Sequence, residues 1–251
     1  MAVVVVGNGP WSAKLRPVIE SVTPLKVTTV GARNVINKFV SGDIFWLATT
    51  PTNQLRILPT IPKQAKVVLE KPAFLNSLEL ELVYREYMGR EGNLYFSLPW
   101  NYSTSMATIV EKLDSQVESN VRVNRGGPVQ RSYIPSYLDW LPHDLGMISR
   151  LPESANFKVD AVVLEGESIR VQAHLSGVKF HLDIGLFEKR VAKWEISNST
   201  QGSYQLDLYE QVTTTGEEPL KNMFSDFLSK PSQSDELFTV WRQFFRAASL
   251  G

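Results

Sequence analysis

The sequence predicts an α/β protein in which an N-terminal domain with a parallel sheet precedes an α+β domain with a largely antiparallel sheet. Up to about residue 98, short apolar runs alternate with stretches of helical period, which is the pattern of a parallel sheet covered by helices. From about residue 120 the pattern changes to long strands in which apolar and polar residues alternate. We therefore expect a first domain over residues 1–98 and a second over residues 99–251.

The composition is that of an ordinary packed protein, and it excludes several classes of function. Of the 251 residues, 43% are hydrophobic and 21% are charged, which is typical of a globular chain. The 26 basic and 26 acidic side chains produce no net field that would attract nucleic acid or an anionic membrane. Cysteine is absent and only 3 histidines are present, so we expect neither thiol chemistry nor a metal site.

The N-terminus lacks the pattern of a targeting segment. The apolar run after Met1 is short and no basic region precedes it. A signal peptide needs a longer apolar core and a small-residue cleavage site. Nowhere do about 20 apolar residues run together, as a membrane span requires. We therefore expect a cytoplasmic protein without membrane or nucleic-acid partners.

Five strands and four helices are predicted in the first domain. The strands are apolar runs bounded by Gly, Pro or Asn, namely Val3–Val6, Lys26–Val30, Ile44–Ala48, Lys66–Leu69 and Leu94–Leu98. The stretches between them predict helices over Lys14–Ser21, Asn34–Val40, Asn53–Leu58 and Leu75–Arg90. The first strand is apolar on both faces, as a central parallel strand covered by helices must be.

In the second domain a β-hairpin is the clearest element. Strands Ser168–Leu175 and Val178–Phe187 alternate strictly, and a Ser-Gly pair at 176–177 predicts a two-residue turn. This register places Arg170 opposite Asp183 on the polar face. We expect further strands and then two helices, over Lys189–Ser197, Gln205–Val212, Pro219–Leu228 and Asp235–Ala248.

A glycine turn after the first strand carries the strongest functional signal. Gly7 and Gly9 permit a tight turn and the close approach of a pyrophosphate to the backbone. The helix that follows presents N-terminal amides, which favour an anion. Ser12 replaces the usual third glycine and can instead cap the helix. The pattern favours a Rossmann-like dinucleotide-binding domain, and the alternative is a turn that only joins strand to helix.

The second strand runs into Arg33, which is a candidate selector of the cofactor. An acidic residue here would bind the ribose hydroxyls of NAD, whereas an arginine suits the 2′-phosphate of NADP. Arg33 therefore favours NADP, and the alternative is a solvated arginine that opens a helix. Only ten residues separate Arg33 from Ile44, too few for another helix, strand and helix. Part of the adenosine side of the site is thus predicted to be missing or rebuilt.

Short motifs occur along the whole chain in a recognisable order. They are a G-x-G-x-W turn at 7–11, an A-T-x-P loop at 48–51, E-K-P at 70–72, a D-x-x-x-H segment at 139–143 and E-P-L-K-N-M-F at 218–224, where the first closing helix is predicted. Together they resemble the Gfo/Idh/MocA family of dinucleotide-dependent sugar oxidoreductases. The Trp11 and Pro142-His143-Asp144 forms are most similar to members that act on nucleotide-linked sugars.

The resemblance implies a cofactor, a substrate class and site residues. The cofactor is NADP or NAD, with NADP preferred, and the substrate is a sugar or nucleotide sugar. Catalytic roles are implied for Lys71, His143 and Asp139. Cofactor contacts are implied for Gly7, Gly9, Pro10, Trp11, Ser12, Arg33, Thr49, Thr50, Pro51, Asn53, Glu70 and Lys71. In the family the Lys-Pro bond of E-K-P is often cis.

The chemistry of these residues agrees with the resemblance. Hydride transfer to or from a nicotinamide needs a partner for the hydroxyl proton, and histidine exchanges a proton near neutral pH. Asp139 lies four residues before His143, so both share a helix face. Lys71 can stabilise negative charge on the substrate oxygen. We expect one cleft to use Lys71 and His143, although each alone also fits a surface lysine or a locally bonded histidine.

Two departures from the family keep other functions open. The chain is shorter than is common in the family, and Leu141 replaces the glycine of the D-x-G pattern. One alternative is a reductase of an imine or another non-sugar substrate. The other is a non-enzymatic homologue that binds a ligand or partner through the same cleft. The polar sheet face of the second domain makes a homo-oligomer a further expectation.

Overall fold

The computed structural model describes residues 2–33, 44–91, 93–113, 118–128, 131, 133–200, 202–216, 218–229 and 235–249. Its internal contacts define two units. Unit 1 contains residues 1–98 and 220–234, and unit 2 contains residues 99–219 and 235–251. Residues 220–234, which the sequence-based division left in the second domain, group with the first unit. No helix in the described ranges is long and apolar enough to cross a membrane.

Unit 1 is built on a five-stranded parallel sheet. Its strands are β1 (Ala2–Val6), β2 (Lys26–Val30), β3 (Ile44–Leu47), β4 (Lys66–Leu69) and β5 (Leu94–Phe96). The spatial order is β2-β1-β3-β4-β5, and every neighbouring pair is parallel. The predicted α/β class and the five predicted strands are confirmed. The order reverses between β1 and β3, and in such sheets ligands bind beyond the carboxyl ends of the strands at that reversal.

Helices complete both units. In the described ranges they are α1 (Pro10–Val22), α2 (Pro51–Ile57), α3 (Ser77–Met88), α4 (Thr104–Lys112), α5 (Ser136–Ile148), α6 (Leu208–Thr215), α7 (Pro219–Ser229) and α8 (Glu236–Ala248). The helix predicted over Asn34–Val40 lies outside the described residues. Within the described part of unit 1, β2 is the edge strand on the side where a longer dinucleotide domain continues.

Helix α7 packs on the unit 1 sheet through aromatic side chains. The Phe224 ring stacks on Trp46 of β3 with ring centroids 5.4 Å apart, and Phe227 meets Tyr95 of β5 edge-on at 4.6 Å. Lys66 Nζ donates to the carbonyl oxygen of Phe227 at 3.3 Å, near the C-terminus of the helix where carbonyls lack helical partners. These contacts explain why residues 220–234 belong to unit 1.

Unit 2 is built on a six-stranded mixed sheet. Its strands are β6 (Ser119–Gly127), β7 (Lys158–Glu165), β8 (Ser168–Leu175), β9 (Val178–Leu186), β10 (Val191–Asn198) and β11 (Gly202–Asp207). The order is β11-β10-β6-β9-β8-β7. β6 and β9 are parallel and the other neighbouring pairs are antiparallel, so the prediction of a largely antiparallel sheet is confirmed. Helices α5 and α8 pack on this sheet.

The β8–β9 hairpin has the predicted register. Ser176 and Gly177 have φ angles of 46° and 86°, which is the pair of positive values that a type I′ turn requires. Arg170 lies opposite Asp183 as predicted. Inward-facing residues are buried, whereas Arg170 and Asp183 are exposed on the polar face. Self-association through this face stays a prediction.

The strand predicted over Gln205–Val212 is wrong in its second half. Strand β11 ends at Asp207 and helix α6 begins at Leu208. The Asp207 carboxylate accepts hydrogen bonds from the backbone N–H groups of Tyr209 and Glu210, at 3.0 Å and 3.1 Å. Such a cap supplies partners for amides that have none within a helix, and it starts the helix at this point.

Candidate active site

The Gly7-Asn8-Gly9 turn lies at the carboxyl end of β1, where the strand order reverses. Gly7 has φ +140°, and a Cβ on it would lie 2.1 Å from the carbonyl oxygen of Ala48. Only glycine therefore lets this turn pack against the end of β3. A Cβ on Gly9 would meet nothing within 4 Å, so the space above Gly9 is open.

Helix α1 begins directly behind this turn, with Gly9 as its N-cap and Pro10 at its first position. Gly9 brings no side chain to the first-turn amides, which lack partners within the helix and carry the positive end of its dipole. The predicted capping role of Ser12 is wrong because the helix starts two residues before it. Ser12 is instead buried, and its Oγ has no hydrogen-bond partner among the described residues.

These features fit the pyrophosphate of a dinucleotide. The open space above Gly9 lets an anion approach the backbone, and the amides behind it favour negative charge. The buried Ser12 hydroxyl adds a donor whose partner the described part of the chain does not supply. The donors are uncharged backbone N–H groups and one hydroxyl, as in dinucleotide turns.

Two arginines lie at the carboxyl end of β2. Arg33 is exposed just after the strand. Arg56 of α2 donates from Nη2 to the carbonyl oxygen of Ala32 at 3.0 Å, which places a second guanidinium next to residue 33. Sequence reasoning found Arg33 and missed Arg56, because this contact joins residues that are 24 positions apart.

The loop after β3 and the first turn of α2 contain four of the predicted cofactor residues, and this segment is bonded to the next loop. Thr50 is the N-cap of α2 and Pro51 is its first residue. Asn53 donates to the Thr49 hydroxyl at 3.3 Å. The Gln54 side chain donates to the backbone carbonyls of Thr49 and Glu70 at 3.1 Å and 2.9 Å. The loops that follow β3 and β4 are therefore joined at the carboxyl edge of the sheet.

Glu70 is buried at the end of β4. Its side chain is 5% exposed, and Oε1 accepts a hydrogen bond from the Trp46 indole at 2.8 Å. The Trp11 indole and the Ser97 hydroxyl also donate to this carboxyl group. Burial raises the pKa of Glu70, while the three hydrogen bonds and the charge of Lys71 lower it in part.

Lys71 follows at the carboxyl end of β4 and is partly exposed. Its peptide bond to Pro72 is cis, as the family resemblance implies. The positive charge of Lys71 lowers the pKa of the neighbouring Glu70. In unit 1, the structure thus brings Lys71, the glycine turn and the loop after β3 to the same edge of the sheet.

His143 and Asp139 lie one turn apart on α5, a helix in which every residue is buried. Their exposed fractions are 7% and 4%. Asp139 pairs with Arg131, whose Nε lies 3.0 Å from Oδ2. Arg131 was not predicted, because it lies in the irregular segment before the helix.

A buried ion pair attaches α5 to the unit 2 sheet. Arg125 of β6 donates from Nε to Asp144 Oδ2 at 2.5 Å, and both side chains are fully buried. The indole of Trp194 on β10 donates to the other oxygen of Asp144 at 3.0 Å. Asp144 directly follows His143, so this group fixes the helix at the histidine. Arg125 is in phase with the inward-facing Val121 and Val123, and that alternation is the signal that would have identified it.

The N-terminus of α5 is fixed by a second carboxylate. Glu167 Oε2 accepts a hydrogen bond from the backbone N–H of Ser136 at 2.7 Å. Burial and then the charge of Glu167 raise the pKa of Tyr137, so its hydroxyl stays protonated at neutral pH.

Comparisons with known proteins identify the fold. No family model matches the chain, and no curated protein matches its sequence. UDP-N-acetylglucosamine 3-dehydrogenase GnnA from Acidithiobacillus ferrooxidans matches with a TM-score of 0.68 and 11% identity, over 100% of this chain and 96% of that one. A myo-inositol 2-dehydrogenase from Lactobacillus plantarum matches with a TM-score of 0.68 and 12% identity, over 96% of this chain and 94% of that one.

A third solved structure is a mutant of KijD10, a 3-ketoreductase from Actinomadura kijaniata, in complex with TDP-benzene and NADP. It matches with a TM-score of 0.71 and 12% identity, over 99% of this chain and 96% of that one. Likeness at such identities shows the fold. The α/β fold expected from the short motifs is thus shared with these solved structures over 96–100% of this chain.

Proposed function

We propose that this chain is an NAD(P)-dependent oxidoreductase that transfers a hydride between nicotinamide and a hydroxyl or keto carbon of a sugar or nucleotide sugar. The turn at the strand-order reversal carries the proposal, because it combines open space above Gly9 with a buried Ser12 hydroxyl that needs a partner. The three solved structures support the class of reaction, since two are dehydrogenases and one is a ketoreductase.

The proposal assigns the cofactor to residues of unit 1. The amides of Trp11 and Ser12 and the Ser12 hydroxyl would hold the pyrophosphate, with Arg33 and Arg56 on the adenosine side. When bound, the nicotinamide supplies or accepts the hydride. Thr49 and Thr50 lie in the loop after β3 and Asn53 lies in the first turn of α2, and all three are proposed as further contacts.

The proposal assigns proton and charge chemistry to three side chains. His143 exchanges the proton of the substrate hydroxyl, because an imidazole gains and loses a proton near neutral pH. Lys71 stabilises negative charge on the substrate oxygen. Asp139 orients the substrate or the imidazole from one turn earlier on the same helix. Arg131 pairs with Asp139 and holds its carboxylate in place.

Steady-state kinetics tests the function, with nicotinamide absorbance as the readout and a panel of nucleotide sugars and free sugars as substrates. Turnover of a member of the panel with NADPH or NADH supports the proposal. Binding of NADPH without turnover across the panel favours a non-enzymatic homologue. An imine is assayed beside the panel, and its turnover without turnover of any sugar favours a reductase of a non-sugar substrate.

Gly9→Val is expected to weaken the binding of both NADPH and NADH by more than ~2 kcal/mol, because a branched side chain fills the space that a pyrophosphate must enter. The fold should be unchanged, since Gly9 has φ −83° and ψ 176°, which valine adopts readily. Calorimetric titration measures the affinity. Gly7→Ala is the matched control: its Cβ would clash with the Ala48 carbonyl, so it should lower the melting temperature. Equal affinities of Gly9→Val and the wild type would contradict the assignment.

Arg33→Ala and Arg56→Ala are each expected to weaken the binding of NADPH by roughly 1.5–3 kcal/mol, because each removes a charge-assisted bond to the 2′-phosphate. The binding of NADH, which lacks this phosphate, should change little. Titration with both cofactors measures the difference. Arg16→Ala is the control, since Arg16 is exposed on α1 and pairs with Glu20. A variant whose affinity falls equally for both cofactors, or for neither, would show that its arginine does not select NADP.

A further inference from the structure

Glu70 is the point at which three segments of the carboxyl edge of the unit 1 sheet meet. Its carboxyl group accepts hydrogen bonds from Trp11 in the first turn of α1, from Trp46 on β3 and from Ser97 after β5. In the strand order β2-β1-β3-β4-β5, the strand that carries Glu70 is two positions from β1. The Trp11 indole therefore connects the glycine turn to a strand that is not its neighbour.

The carboxyl group of Glu70 is buried and hydrogen-bonded to side chains of the protein. A carboxyl group that is 5% exposed needs hydrogen bonds to offset the loss of water, and three donors of unit 1 supply them. Family resemblance alone counted Glu70 among the residues that contact the cofactor. The observed partners engage its oxygen atoms within the protein instead.

Trp11 is the most exposed of the three donors. Its side chain is 43% exposed, whereas Trp46 is fully buried and Ser97 is 2% exposed. Packing alone therefore restrains Trp11 less than it restrains the other two. Indole nitrogen is a donor only, so a carboxyl group is a matched partner for it. The hydrogen bond to Glu70 therefore adds a restraint on the position of the Trp11 side chain.

We propose that Glu70 is a positioning residue that fixes the dinucleotide turn through Trp11. The inference rests on the proposed function, because it gives the turn a ligand whose affinity depends on its position. Trp11 and Ser12 are consecutive in the first turn of α1, so the bond that fixes the Trp11 side chain also fixes the amides behind Gly9. Preorganised donors bind more tightly because less order is lost on binding.

A double-mutant cycle tests the proposal, with the NADPH dissociation constant from calorimetry as the readout. Trp11→Phe and Glu70→Gln are each expected to raise it about tenfold, because the first removes the donor and the second weakens the acceptor of the same hydrogen bond. The double variant is expected to show about the same tenfold rise, since two changes to one interaction do not add. A rise near one hundredfold in the double variant would show independent effects and would overturn the proposal.

Trp194→Phe is the matched control, because it removes an indole bond to a buried carboxylate in unit 2. It is expected to lower the melting temperature and leave the NADPH dissociation constant unchanged, which separates positioning from general stability. Trp11→Phe changes a half-exposed ring, so it decides the question even where Glu70→Gln fails to fold. An unchanged NADPH affinity in Trp11→Phe overturns the inference while the proposed function stands. A wild type that binds neither cofactor overturns both.

Discussion

His143→Asn is expected to lower turnover by about 10²–10⁴-fold, the usual contribution of general acid–base catalysis. Asparagine keeps a polar side chain of similar size but cannot exchange a proton at neutral pH. NADPH affinity should change much less than turnover, because the proposed cofactor contacts lie in unit 1. Steady-state kinetics and calorimetry measure the two quantities on the same variant.

His181→Asn is the matched control for this variant. His181 is exposed on β9 of the unit 2 sheet, so its loss should leave turnover unchanged. Full turnover by His143→Asn beside an active wild type would refute the role of His143. A fall in turnover that is matched by a fall in melting temperature would instead assign His143 to packing, since the residue is only 7% exposed.

Lys71→Ala should lower turnover comparably, through lost stabilisation of charge on the substrate oxygen. The side chain is partly exposed, so its removal leaves no large cavity. Lys26→Ala is the control, because this exposed lysine begins β2 at the opposite edge of the sheet. Equal turnover of the two variants would remove Lys71 from the catalytic set.

Asp144→Asn is expected to lower the free energy of unfolding by about 3–5 kcal/mol, because it leaves the Arg125 guanidinium buried without its counter-ion. Both side chains are fully buried, so water cannot compensate the charge. In a chain of this size each kcal/mol shifts the melting temperature by about 2–4 °C, and a fall of roughly 6–20 °C should follow. Thermal unfolding followed by circular dichroism measures it.

The exposed pair of Arg16 and Glu20 provides the contrast. Its side chains are 55% and 44% exposed, and such pairs contribute less than about 1 kcal/mol. Arg16→Gln should therefore leave the melting temperature almost unchanged. A shift for Asp144→Asn as small as that of Arg16→Gln would show that the buried pair does not anchor α5.

Much of the fold could be predicted from the sequence because its signals are local. The apolar run of β1, the glycine turn behind it and the alternation of β8 and β9 each lie within ten residues or fewer. The error at Gln205–Val212 has a local cause as well. There the side chain of Asp207 bonds to the backbone and starts a helix inside a segment whose apolar pattern also fits a strand.

The site was predictable only where its residues stand in short motifs. Lys71 and His143 are proposed on such motifs, as are the glycines of the turn. The groups that hold them in place come from distant positions: Trp46 and Glu70 are 24 residues apart, and Arg125 and Asp144 are 19 apart. No periodicity in one segment encodes such a pairing, because it exists only after the strands have assembled.

The most direct test of the account follows the hydride itself. The wild-type chain is incubated with NADPH deuterated at the reactive carbon of the nicotinamide and with nucleotide-linked keto sugars, and the products are analysed by mass spectrometry and NMR. The account predicts a sugar alcohol that carries deuterium on the carbon bearing the new hydroxyl, formed about 10²–10⁴-fold more slowly by His143→Asn. Saturable NADPH binding with no deuterated product from any keto sugar or free sugar would contradict it.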